Sequence, residues 1–158
     1  MSNFETAVAL VLKHEGGFVD DKNDSGGATN WGISSRSYPN IDVAKLTRDD
    51  AIAIYRRDFW EPLRCDELPY GLAVQLFDMA VNAGVSAAVK ILQSTLFVTA
   101  DGVLGPVTIA AAGKAGRAAV KGYARRRIRY YSSLGKFATY GDSWTDRTLD
   151  TLLAAVAA

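Results

Sequence analysis

The feature that most constrains this chain is a grammar of helix starts and stops repeated from end to end. Ser2 and Glu5 form an S-x-x-E capping box, and Phe4, Ala7, Val8, Val11 and Leu12 then recur at helical spacing until Gly16 and Gly17 end the run near residue 15. Thr47 with Asp50 opens a second run through Ala51, Ile54 and Tyr55, closed before Pro62. Pro69 opens a third with Leu72, Leu76, Phe77, Ala80 and Val81, closed by Gly84. Ser86 is placed to cap a fourth reaching about residue 97, and Gly105-Pro106 starts a short fifth to about residue 112. A sixth covers about 117–134 through Val120, Tyr123, Ala124, Ile128 and Tyr131, and Ser143 with Asp146 caps a seventh around Leu149, Leu152 and Leu153. No alternation of strands and helices implies a parallel sheet, and no repeat has a fixed period. The reading is a mainly α fold. Only the segment 18–34 departs from it, where turn formers separate Phe18-Val19 from Trp31 and Ile33 and predict a small β-hairpin.

A length of 158 residues fits one domain with a sizeable core. The turn around Thr99-Ala-Asp-Gly102 separates a first part, 1–92, from a second, 93–158, expected to pack together as one compact body. Hydrophobic residues at 49% and charged ones at 22% exclude a disordered or fibrous chain. The balance of 18 Lys+Arg against 17 Asp+Glu gives no global attraction to nucleic acid, so none is expected as partner. Cys65 is the sole cysteine, which rules out an intramolecular disulfide and suits synthesis in a reducing compartment. The first residues carry Glu5 inside their apolar middle and lack a basic start, which makes a poor signal peptide. No run approaches the ~18 apolar residues that span a bilayer. The expectation is a chain made in the cytoplasm without stable membrane insertion and, lacking an apolar heptad, a monomer.

The chemistry concentrates in HEGGFVDDKNDSGGATNWGIS, residues 14–34. Glu15 falls in the last turn of the opening helix, where the negative end of the macrodipole disfavours an ionised carboxylate. Phe18 and Trp31 would add apolar surroundings that act the same way. A carboxyl that keeps its proton is what general acid catalysis needs, and the neighbouring glycines let a sugar ring approach the backbone. Glycoside hydrolysis pairs such an acid with a second carboxylate, for which Asp20, Asp21 and Asp24 are all candidates. Trp31 is the best-placed aromatic for stacking on a sugar. Gln75, Asp78 and Asn82 share a face of the third helix, either lining the cleft or tying helices together.

Metals fit poorly. Asp21, Asn23, Ser25 and Gly26 match the opening of a calcium loop, but position twelve, which needs a bidentate glutamate, is Gly32. His14-Glu15 begins an H-E-x-x-H pattern that Phe18 breaks, in a chain with 1 histidine. No metal or cofactor is expected, and His14 reads as a partly exposed helix residue able to tune Glu15 by its charge. The basic run Arg125, Arg126, Arg127 and Arg129 reads as a solvated helix face or, if functional, as an attractor of anionic wall polymers or peptide-stem carboxylates.

The 14–34 stretch, with its EGG-x glutamate and D-x-GGATN-(aromatic)-GI run, resembles the signature of glycoside hydrolase family 108. FDMAVNAG (77–84), LQSTLFVTADGVLGPVT (92–108) and RRRIRYYSSLGKFATYGDSW (125–144) are similar to later stretches of the same proteins, the last two lying in a region known as a predicted peptidoglycan domain. The resemblance covers nearly the whole chain. It implies a lysozyme-like, mainly helical N-acetylmuramidase of the endolysin and secretion-associated kind, acting on bacterial peptidoglycan at the cell wall or periplasm after release from the cytoplasm. It places the catalytic glutamate on Glu15 and the D-x-GG aspartate on Asp24. Phe18 and Trp31 depart from the family's usual tyrosines but stay aromatic. Phage-type lysozymes, a more distant likeness, space Glu, Asp and Thr so that Asn30 takes the Thr position with Thr29 beside it. Either of these two side chains would then hold the attacking water.

Overall fold

The structure, a computed structural model, describes residues 2–18 and 27–157. Helix α1 (Asn3–Glu15) begins with the capping box: the Glu5 N–H donates to Ser2 Oγ at 3.2 Å and the Ser2 N–H to Glu5 Oε2 at 2.6 Å. A two-stranded antiparallel hairpin follows, β1 (Thr29–Asn30) and β2 (Ile33–Ser34), with Asn30 opposite Ile33. Trp31 (φ 53°) and Gly32 (φ 78°) form its two-residue turn. Both have left-handed backbones, the geometry that matches the twist of the flanking strands. Holding a tryptophan there costs about 1–2 kcal/mol, offset in part by the Tyr55 hydroxyl, which donates to the Trp31 carbonyl at 2.9 Å.

Helix α2 (Arg48–Tyr55) starts on the Thr47/Asp50 capping box and runs on into a π-helical turn, Arg56–Trp60. That turn delivers Trp60 to the core, where it meets Phe4 and Phe77 edge-on at 5.4 Å each. Helix α3 (Tyr70–Ala83) is apolar on nearly every side, the pattern of a central helix. It packs against α1, α4 (Val85–Thr95), α6 (Arg117–Ser132) and α7 (Phe137–Ala157). The short α5 (Pro106–Gly113) starts on Gly105 as read from the sequence. With seven α-helices and one small hairpin among the described residues, the chain is mainly α and lysozyme-like in class. Among the described residues no helix is long and apolar enough to cross a membrane.

Two helix starts differ from expectation. Helix α4 begins at Val85 on Gly84, not on Ser86. Helix α7 begins at Phe137, so Ser143 and Asp146 lie inside it rather than capping it. The extra turns are held by side-chain stacking, Trp144 on Tyr131 at 4.9 Å and Tyr140 beside Trp144 at 5.6 Å, which outweighs the local capping signal. The buried face of α7 also reverses expectation: Arg147, Thr148 and Thr151 are buried while Leu149 and Leu153 are exposed.

Candidate active site

Glu15 is the last residue of α1, and the hairpin tip rests on its side chain. A Cβ added to Gly32 would lie 2.7 Å from Glu15 Cγ and 2.8 Å from Glu15 Cβ, and would also strike the Tyr55 hydroxyl. Only glycine fits this approach, and its left-handed backbone suits glycine as well. The Glu15 side chain remains 21% exposed, so its stem is covered while the carboxyl reaches solvent. Gly32→Ala is therefore expected to push Glu15 aside, at about 1–2 kcal/mol of stability and about a hundredfold in the rate of any reaction in which Glu15 takes part. Rates and melting curves of the purified variant check this; a wild-type rate would separate the tip from Glu15.

Arg147 meets the carboxyl from the other side. Its Nη1 donates to Glu15 Oε1 at 2.6 Å, while Nε donates to Asp78 Oδ1 and Oδ2 at 3.0 and 3.1 Å and Nη2 lies 2.9 Å from Asp78 Oδ1. Asp78 is completely buried in α3 and also faces Arg127 Nη2 at 2.6 Å and the Thr151 hydroxyl at 3.3 Å. Arg127 in turn donates from Nε to the Tyr131 hydroxyl at 3.1 Å, and Tyr131 donates to Asn82 Oδ1. Two carboxyl groups and two guanidiniums thus form a connected cluster running from the surface at Glu15 into the core. Burial pushes the Asp78 carboxyl up, but the Arg127 and Arg147 guanidiniums together outweigh it and hold the group below the usual aspartate range.

His14 lies beside this cluster with Nε2 3.4 Å from Asp150 Oδ2. Burial, and next the positive charge of Arg147, lower its pKa. It is thereby kept neutral at pH 7, not the charged modulator of Glu15 that the sequence suggested.

Of the other expected site residues, Asp20, Asp21 and Asp24 lie outside the described residues. Asn30 is buried, and its Nδ2 donates to the Val43 and Leu46 carbonyls at 3.0 and 3.2 Å. Its amide donors therefore anchor the hairpin to the turn that follows it, rather than holding water. Thr29 Oγ1 reaches the Gly27 carbonyl at 3.4 Å, at the hairpin base. Trp31 occupies the hairpin tip beside Gly32, partly buried against the core. Gln75 does not line a cleft: fully buried, it donates to the Gly71 and Val120 carbonyls at 3.1 and 3.0 Å and ties α3 to α6. Asp78 too is a buried tie, yet one that reaches Glu15 through Arg147. Asn82 is half-buried, and Phe18 is 51% exposed.

Sequence reasoning missed Arg127 and Arg147. Arg127 has no place on a solvated face, being fully buried among Tyr123, Ala124 and Tyr131 on the inner stripe of α6. A signal existed in Asp78, the one charged residue in the apolar run of α3, because a buried carboxylate demands a cation. The residues stacking near the site also come from the far end of the chain, with Trp144 one turn before Arg147 on α7.

The model of the family described as Glycosyl hydrolase 108 matches residues 8–84, which contain Glu15, the hairpin and Asp78. A solved structure described as that of Brucella abortus SagA matches with a TM-score of 0.87 at 35% identity, covering 98% of this chain and 94% of that one. That span includes Arg127 and Arg147, which lie beyond the family match. No match was found among curated proteins. A near-complete overlay at this identity, with a family match that includes Glu15, shows that the chain belongs to glycosyl hydrolase family 108 and is a glycoside hydrolase.

Proposed function

We propose that the protein is an endolysin-like N-acetylmuramidase that hydrolyses the β-1,4 bond between N-acetylmuramic acid and N-acetylglucosamine in bacterial peptidoglycan, acting as a monomer at the cell wall. The observation that carries this reading is the setting of Glu15, a partly exposed carboxyl with its stem pinned by Gly32 and one oxygen held by Arg147. Arginine offers donors and no acceptor, so Oε1 must present it a lone pair. Oε2, which has no partner among the described residues, is then the oxygen to pass a proton to the glycosidic oxygen of a bound strand. Asp24 supplies the second carboxylate, stabilising positive charge at the anomeric carbon or orienting water. Trp31, next to Gly32, offers its ring to a sugar. Glu15 and Asp78 come from 1–92 and Arg147 from 93–158, so the two parts act as one catalytic body, the second also holding the polymer.

The products test the reading. Purified sacculi treated with wild-type protein are expected to release fragments that mass spectrometry identifies by reducing N-acetylmuramic acid ends. Anhydro-muramic ends would mean attack by the substrate's own hydroxyl, a lytic transglycosylase. Reducing N-acetylglucosamine ends would place the cut at the other glycosidic bond. Either result overturns the proposal.

A further inference from the structure

Helices α4 and α6 leave between them a groove of about 670 Å³ on the surface. Its lining includes the side chains of Lys90, Arg126, Arg129 and Tyr130 above the apolar Ala87 and Ile91, and no carboxylate. Elsewhere on the surface Arg57 and Arg64 each hold a carboxylate at 2.6 Å. Among the described residues the three groove cations have no such ion pair. Asp101, which feels the charge of Lys90, accepts at Oδ1 from Gln93 Nε2 and from the Val103 N–H.

Phe97 is the second observation. It follows α4 in a left-handed conformation (φ 57°), which a bulky side chain disfavours, and it is 89% exposed. The Val98 N–H donates to the Gln93 carbonyl at 3.0 Å across this residue, a helix ending that usually takes glycine. The Arg126 guanidinium lies 5.8 Å from the ring centroid, over its face. An exposed aromatic at a position that favours glycine thus steadies one of the groove's cations.

We propose that this groove is a second binding site, for the carboxylate-bearing peptide stems of the polymer whose glycan is cut at Glu15. The identity of the polymer rests on the muramidase reading. The three cations match the stem carboxylates, and the groove volume falls within the ordinary range of ligand sites, about 300–1,000 Å³. Position agrees: Ala83, in the lining, is five residues along α3 from Asp78, about 7.5 Å of helix axis, and Asp78 shares Arg147 with Glu15. Three extended stem residues span about 10 Å. A concave, tyrosine-walled groove suits a peptide better than the flat surface of a membrane.

The probe is the synthetic tripeptide L-alanyl-D-isoglutamyl-meso-diaminopimelate, titrated calorimetrically into the full chain. It is expected to bind, more weakly as salt is raised, and about tenfold more weakly to a Lys90→Ala, Arg126→Ala, Arg129→Ala protein. Phe97→Gly relieves the backbone strain, so it is expected to fold at least as well as wild type and still lose affinity. The preference for stem-bearing sacculi over amidase-treated, stem-free glycan should fall about tenfold in the triple variant. Absence of tripeptide binding, or equal binding by the triple variant, overturns the proposal. So does capture by phosphatidylglycerol vesicles through the same three cations without tripeptide binding. Binding requires no turnover, so tripeptide binding without glycan cleavage would sink the muramidase reading alone, and cleavage without binding would sink the groove alone.

Discussion

Asp78→Ala is expected to lower the melting temperature by on the order of 10 °C. Removing one partner from a buried ion pair costs about 3–5 kcal/mol, and each kcal/mol moves the midpoint about 2–4 °C in a chain of this size. The reason is what the substitution leaves behind. Arg127 is fully buried and would keep its charge with only the Tyr131 hydroxyl beside it, while Arg147 would keep only Glu15 as its carboxylate partner. Because the folded-state pKa of Asp78 lies below its unfolded value, the carboxylate's contribution is complete above about pH 4 and is lost as pH falls through the folded value. Wild-type melting temperatures should therefore drop below pH 4, and those of the variant should drop less. Replacing Arg127 and Arg147 by methionine in the Asp78→Ala background should restore much of the stability, since no buried charge then lacks a partner. Circular dichroism melts at pH 7 and pH 3 decide it. A shift of only a degree or two for Asp78→Ala would mean that the buried cluster does not hold the fold.

What could be read from the sequence follows the range of each interaction. The Ser2/Glu5 and Thr47/Asp50 boxes act within one turn, and both form as read. Pro69, Gly84 and Gly105 punctuate helices for backbone reasons that need no tertiary partner. The errors arise where distant contacts override local preference. Ser143 and Asp146 have the side chains of a helix start, yet Trp144 stacks on Tyr131 from a neighbouring helix and the coil before them becomes two more turns. Leu149 and Leu153 look like a core stripe, but α7 turns Arg147 and Thr151 inward because Asp78 lies opposite.

The site divides the same way. Glu15 at the end of α1 was legible because the residues that place it are local, whereas the hairpin turns at Trp31-Gly32, where the sequence suggested its second strand. The partner of Glu15 is 132 residues away on α7, and no spacing rule connects the two. Asn30 and Gln75 carried amide groups that suited either a cleft or a buried tie, and only the carbonyls they meet, those of Val43, Leu46 and Val120, distinguish these.

Glu15→Gln should reduce turnover by about a thousandfold or more while leaving the fold in place, which separates acid catalysis from mere wall binding. The amide is nearly the same size as the carboxyl, and its carbonyl oxygen can still accept from Arg147 Nη1, so the geometry of the cluster survives. What disappears is a proton that can be passed to the leaving oxygen, a contribution of about 10²–10⁴ in rate. The carboxyl is partly solvated, and Arg147 keeps its bonds to Asp78, so the stability cost should stay near 1 kcal/mol. This contrasts with Asp78→Ala, where the fold itself gives way. Turbidity loss of purified walls reports turnover, and co-sedimentation with the same walls reports binding. The expected pair of results is walls that stay turbid and protein that still sediments with them. If the glutamine protein cleared walls at more than about a hundredth of the wild-type rate, the proton donor would be another group. Loss of sedimentation together with clearing would instead assign Glu15 to holding the strand rather than cutting it.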